Sequence, residues 1–141
     1  MYYTSGGLNR SSIGLADDIA KAINGEYSAI ICYELLAKLA PNNEARNRIL
    51  EIRNDEIKHY KAFSQIYVTL TGRQHTPQII EECKSEYKEG LRASFKDEQM
   101  TTDFYLDIAG KSNEPYIKET FKRAASDEQN HAVWFLYYLT A

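Results

Sequence analysis

Two six-residue stretches, NDEIKH at 54–59 and SDEQNH at 126–131, each contain Asp-Glu-x-x-His, and together they use two of the three histidines in the chain. On a helix, a glutamate and a histidine three residues later lie one turn apart on the same side. Each stretch therefore offers a carboxylate and an imidazole to one point in space, a donor pair suited to iron or manganese rather than to a structural zinc site. A single Glu-x-x-His is a weak signal in a Glu-rich chain, so the reading depends on what else falls in register.

The two stretches are 72 residues apart, from His59 to His131. The same shift carries Glu26 onto Glu98, Tyr33 onto Tyr105, Ile49 onto Phe121, Asp55 onto Asp127, Glu56 onto Glu128 and Phe63 onto Phe135. In each half a lone glutamate precedes the Glu-x-x-His glutamate by 30 residues, Glu26 before Glu56 and Glu98 before Glu128. Each of the four glutamates has large apolar residues seven positions to either side, as Ile49 and Phe63 flank Glu56. Residues seven apart share a helix face, so every glutamate interrupts a core stripe. Burying one unpaired carboxylate costs several kcal/mol, and four together require cations. Two divalent ions would balance Glu26, Glu56, Glu98 and Glu128, with His59 and His131 completing the set, the pattern of a carboxylate-bridged two-metal site in a helical bundle. Asp55 and Asp127 are rotated about 100° from the neighbouring glutamates. From there Asp55 could accept the other ring N–H of His131, and Asp127 that of His59, as metal-bound histidines usually require; the alternative is that both face water. Tyr33 and Tyr105 are either core tyrosines with hydrogen-bonded hydroxyls or groups that serve the site.

The elements needed to hold these residues are helical. Apolar residues recur at three and four positions from about Ile13 to Leu39, from about Glu44 to Leu70, from Gly90 to the GKSNEP break, and from Pro115 onward. Pro41 stops the first helix, Asn42 or Asn43 caps the second, and Pro115 suits the first turn of the fourth. This predicts an all-α fold, a four-helix bundle, as one domain over 1–141, with a flexible tail at 1–12. Residues 72–89 form the long crossover between helices 2 and 3, part of it a short amphipathic helix in PQIIEECKSEYK. Such a segment reaches roughly 40 Å, the length of the bundle, and leaves helices 2 and 3 parallel.

Composition excludes several functions. The net charge is −3 with pI about 5.6, so there is no basic surplus for nucleic acid or an anionic membrane. The first residues have no apolar core of a secretory signal, and the longest apolar run, AVWFLYYL, is too short to span a bilayer. Its aromatics exceed one helix stripe, which suggests a homodimer contact. Cys32 and Cys83 make no C-x-x-C; the expectation is a reduced cytoplasmic protein with two free thiols that take no part in the chemistry. His75, beside a turn, is expected to be a solvated loop histidine.

NGEYSAIICYE, NDEIKHY, FKDEQM and SDEQNHAVWF resemble the four ligand segments of the ferritin-like superfamily, and most nearly its rubrerythrin branch, from about Ile13 to the end of the chain. The resemblance implies a left-handed bundle and a centre of two iron ions, manganese being the other candidate. Glu56 and Glu128 would bridge the ions, and Tyr33 would match a tyrosine that hydrogen-bonds near the site. It implies a di-iron oxidoreductase that reacts with peroxide or dioxygen, as peroxidase or ferroxidase. The rivals are an iron storage or transfer protein and a non-catalytic helical interaction domain. Two departures stand out. Thr101 occupies the position of an extra glutamate that rubrerythrins carry, and the chain shows no four-cysteine rubredoxin domain. Electrons are therefore expected from an external rubredoxin-like or other reductant.

Overall fold

A computed structural model describes the backbone of residues 10–141 and side chains from Ile13 onward. It contains four helices: α1 (Arg10–Leu39), α2 (Asn43–Thr71), α3 (Tyr87–Lys111) and α4 (Pro115–Thr140). The expected tail at 1–12 falls outside the described residues up to position 9; from Arg10 the chain is already helical. Among the described residues no helix is long and apolar enough to cross a membrane.

The helix ends follow from local chemistry. Asn42 accepts the Ala45 N–H at the start of α2, and Gly72, at φ 73°, ends α2 with its N–H on the Val68 carbonyl. Only glycine takes that left-handed conformation without steric cost. Glu114 caps α4 by accepting the Ile117 N–H, with Pro115 in the first turn. The last carbonyls of α1 are met by Arg46, which donates to Ala37 O and Ala40 O at 3.1 and 3.2 Å. Lys118 does the same for α3, at Ala109 O and Ser112 O. Arg46 and Lys118 are 72 residues apart, as are the carbonyls they meet, so the internal repeat extends to how each hairpin closes.

Helices α1 and α2 pack as one hairpin and α3 and α4 as the other; α1 also meets α3, and α2 meets α4, leaving α1/α4 and α2/α3 as diagonals. Every adjacent pair is antiparallel, which requires α2 and α3 to run the same way and the crossover to travel the length of the bundle. The core lies in two apolar clusters. One centres on Ile19, Ile23, Phe63, Tyr105, Ile108 and Phe121. The other centres on Tyr33, Leu36, Ile49, Ile52, Leu91 and Phe135. The buried glutamates and histidines lie between them.

The crossover departs from expectation. Residues 74–80 and 82–84 form no regular structure, and α3 begins at Tyr87, three residues before Gly90. Fifteen residues, 72–86, must span α1, and an extended chain at 3.3 Å per residue reaches roughly 50 Å where a helix would fall short. Three ties hold it along one line of α1. Asn24 Oδ1 accepts from Gln78 N at 2.9 Å and pairs with His75 Nε2 at 2.8 Å. Ser28 Oγ accepts from Ile80 N at 3.0 Å. Cys32 is disulfide-bonded to Cys83, with Cα atoms 5.1 Å apart. The expectation of two free thiols is thus corrected. The expectation for His75 is corrected too: it is half-buried against Tyr67 and anchors the strap. Positions 24, 28 and 32 share one helix face while 78, 80 and 83 advance in the same direction, so the strap runs parallel to α1.

Gly90 marks the point where α3 meets α1. A Cβ there would lie 2.6 Å from Leu36 Cδ1, whose side chain is buried, whereas Gly110 has open space. Gly110→Ala should stabilise the fold by roughly 0.5–1 kcal/mol through helix propensity. Gly90→Ala should instead destabilise it by roughly 1 kcal/mol, because overpacking outweighs that gain. Urea unfolding of the two variants checks the opposite signs, and in a Leu36→Ala background the Gly90→Ala penalty should disappear.

Candidate metal centre

The four helices each place a glutamate at mid-height. Glu26 of α1, Glu56 of α2, Glu98 of α3 and Glu128 of α4 are all at most 2% exposed, and His59 and His131 are buried beside them. Their donor atoms form two overlapping groups. One is Glu26, Glu56, His59 and Glu128; the other is Glu56, Glu98, Glu128 and His131, each with donor atoms within 4.8 Å of one another. Glu56 and Glu128 belong to both. The set is compatible with a two-metal site in which the Glu-x-x-His glutamates are shared.

Each imidazole faces the cluster through one nitrogen. His59 Nδ1 lies 3.2 Å from Glu26 Oε2, from Glu56 Oε1 and from Glu128 Oε1. His131 Nδ1 lies 3.3 Å from Glu98 Oε2. The opposite nitrogens cross between hairpins: His59 Nε2 to Asp127 Oδ2 and His131 Nε2 to Asp55 Oδ2, both at 2.8 Å. The face between α2 and α4 is closed by these two Asp–His pairs. Asp127 is also held by Arg123 at 3.1 Å, and its carboxyl lies below the usual range: burial opposes ionisation, but the bonds from His59 and Arg123 prevail.

The metal-free arrangement carries excess charge. Burial, then the charge of Glu128, raises Glu26 to about 8. Burial also raises Glu56 well above the carboxylate range. Burial alone would raise Glu128 as well, but bonds from His131 and His59 hold it down to about 2. Both imidazoles are pushed up by the surrounding carboxylates despite their own burial. Protons therefore stand where cations would. Even so, Glu26 Oε1 and Glu56 Oε1 are buried without a hydrogen-bond partner; Glu56 Oε1 is near His59 but not aligned to bond it. Orphaned buried oxygens are rare in folded proteins, and two of them within a cluster of carboxylates and imidazoles fit oxygen-and-nitrogen ligation of a divalent ion.

The tyrosines divide. Tyr105 donates from its hydroxyl to Glu26 Oε2 at 2.5 Å. Among the described residues the equivalent bond from Tyr33 to Glu98 is absent, and Tyr33 packs on Phe135 with ring centroids 5.2 Å apart. Burial and the nearby carboxylates keep both phenols protonated.

The opposite face, between α1 and α3, is open. A cavity of about 210 Å³ reaches Glu26, Glu56 and Glu128, is lined by Thr101 and Asp97, and is roofed by Ile80 and Glu81 of the strap. Thr101 is therefore at the entrance, and the acidic groups near it come from other positions. Asp97 is raised to about 7 by burial and by the charges of Glu81 and Glu128. The sequence carried a signal for Asp97: FKDEQM repeats the Asp-Glu pair of the other two motifs. Glu81 had none, because its place depends on the extended path of the strap.

The rubrerythrin family profile matches residues 89–141, which hold α3 and α4 with Glu98, Glu128 and His131. An uncharacterized protein of Bacillus subtilis (strain 168), YhjR, is 54% identical over 125 residues, 89% of this chain and 86% of YhjR. The solved structure of hypothetical protein Pfu-1136390-001 from Pyrococcus furiosus superposes with a TM-score of 0.79, covering 89% of this chain and 88% of that one. At 19% identity that likeness concerns the fold alone. Four helices, the paired Glu-x-x-His motifs and these matches lead to one assignment: the chain belongs to the family of YhjR, and its second hairpin matches the rubrerythrin profile within a ferritin-like four-helix bundle.

Proposed function

We propose that the chain is a di-iron oxidoreductase that reduces peroxide or dioxygen. The observation that carries this is the sharing of Glu56 and Glu128 between two buried donor groups, each completed by one further glutamate and one histidine. Glu26 and His59 would hold one ion and Glu98 and His131 the other. Two ferrous ions would supply, together, the two electrons that an O–O bond accepts on cleavage.

The chain's own residues then have distinct tasks. Asp127 and Asp55 fix which imidazole nitrogen carries the proton, leaving Nδ1 free to ligate. The Tyr105 hydroxyl donates a hydrogen bond to Glu26 Oε2, beside the cavity. Phe63, Phe121 and Phe135, all fully buried, keep water from the centre. The 210 Å³ cavity admits a molecule the size of peroxide or dioxygen. Electrons come from an outside reductant.

Anaerobic titration should give two ferrous ions per chain, oxidised rapidly by peroxide. Glu56→Ala, which removes a shared ligand, should abolish binding of both ions, while Glu26→Ala should weaken chiefly one. Iron that stays ferrous in the wild-type chain, or a Glu56→Ala chain that reacts equally fast, would remove the proposal. Asp127→Ala and Asp55→Ala should each weaken metal binding by roughly 10–100-fold, measured by competition with a chromophoric chelator.

The charges also set a pH dependence. In the metal-free chain Glu26 holds a proton up to about pH 8 when folded but only to its ordinary value of 4.5 when unfolded. Its contribution to stability is full below the unfolded value and is lost as pH rises through the folded one. Glu56 and both histidines shift in the same direction. The thermal midpoint of metal-free protein should therefore fall between about pH 5 and about pH 8, and stabilisation by added Mn²⁺ should grow over the same window as the ion displaces protons. A metal-free midpoint that rises with pH would show that the cluster is neutralised in some other way.

A further inference from the structure

The proposed reaction needs two electrons for each peroxide, and the chain holds one group that can store two. Cys32 and Cys83 form a disulfide, and both residues are partly exposed rather than sealed in the core. Cys32 is on α1, six residues after Glu26 and adjacent to the buried Tyr33. Six residues of helix advance about 9 Å. Cys83 is two residues beyond Glu81, which roofs the cavity leading to the glutamates. A smaller cavity lined by Cys32, Cys83 and Tyr33 has Glu81 and Asp97 in its wall, and those two residues also line the cavity that reaches Glu26, Glu56 and Glu128. The sulfur pair and the carboxylate–histidine cluster thus border adjoining spaces under one strap.

We propose that Cys32 and Cys83 cycle between dithiol and disulfide, and that the dithiol returns to the centre the electrons that peroxide removes. This rests on the peroxide-reducing reading above. The net step balances: one peroxide and two thiols give two waters and one disulfide. The O–O bond breaks and the S–S bond forms, the two sulfurs lose one electron each, and the two thiol protons leave in the water. The disulfide is then the oxidised resting form. Both cysteines are partly exposed and line a cavity, which leaves the pair open to thiol–disulfide exchange with an external thiol reductant, and this closes the cycle. The requirement for an outside donor is unchanged, but its chemistry is now specified: it is a thiol, and its port of entry is the strap.

Two measurements test this. First, the metal-free chain is equilibrated in glutathione buffers of graded redox poise, alkylated and weighed. An intramolecular Cys32–Cys83 bond should form and reverse across the series; a pair that stays wholly unbonded, or never opens, overturns the proposal. Second, the reduced chain, freed of reductant and loaded anaerobically with ferrous iron, is given one equivalent of hydrogen peroxide. Thiols are counted by alkylation and mass while iron oxidation is followed by absorbance. Both thiols should disappear and the iron should return to the ferrous state, with thiol loss roughly tenfold or more faster than in the same chain without iron, where only direct attack by the thiolate operates. If the iron turns ferric and stays so while both thiols remain, the dithiol role falls and the di-iron reading stands. If the iron never oxidises, the di-iron reading falls and takes this one with it. Equal thiol loss with and without iron overturns the dithiol role alone. A Cys32→Ser/Cys83→Ser chain, once its iron content matches wild type, should oxidise its iron with one peroxide and then stop, even with excess glutathione; continued turnover would count against the proposal. The wild-type comparison does not depend on that variant folding.

Discussion

Four carboxylates buried at the middle of an apolar bundle set the terms for everything around them. Each costs several kcal/mol to desolvate as an anion, and Glu26, Glu56, Glu98 and Glu128 are all at most 2% exposed. The chain cannot spread them apart, because each sits at the same height on its own helix. It can only supply positive charge, from protons or from metal ions. The opposing shifts of Glu26 and Glu128 express this: one carboxylate stays ionised between two imidazoles while a neighbour keeps its proton. A core so arranged is poorly designed for stability alone and well suited to exchanging protons for cations.

That constraint explains the division of labour between the two faces of the site. Between α2 and α4 the histidines are locked by Asp127 and Asp55, so this face is rigid and closed. Between α1 and α3 the bundle parts into a cavity, and the strap covers it. Gly90 then lets α3 approach α1 closely near the far end of the strap, against Leu36. The bundle is thus tight at its ends, locked on one face and accessible on the other.

The convergence of the four glutamates and two histidines was legible in the sequence because helix period is a strong, redundant signal. Glu56 and His59 each have apolar neighbours one heptad away, and the 72-residue shift gave each half a second reading of the same pattern. The crossing of Asp55 to His131 and Asp127 to His59 could be argued from a rotation of 100° alone. The long crossover was legible from its length, but the path of the strap was not. Its extended path depends on single polar atoms, Asn24 Oδ1 and Ser28 Oγ, which catch backbone N–H groups more than 50 residues away. No periodicity announces such contacts, and PQIIEECKSEYK has the composition of an amphipathic helix. The cysteines look idle in the sequence for the same reason: their pairing depends on where the strap lies. Capping of α1 by Arg46 and of α3 by Lys118 was visible only in retrospect, as a charge conserved in sign across the repeat while the residue type changed.

The strap also has a bearing on the internal repeat. The two hairpins supply matching glutamates and histidines, so the residues that would bind the metals are related by an approximate twofold axis. An object with that symmetry has no means of telling its two poles apart. The strap lies along α1, the helix to which its three ties hold it. Together with the Tyr105–Glu26 bond, which Tyr33 does not repeat, the strap gives the centre a direction. Through it the molecule has a front and a back, and changes confined to residues 72–86 can alter one pole while leaving the six buried glutamates and histidines untouched.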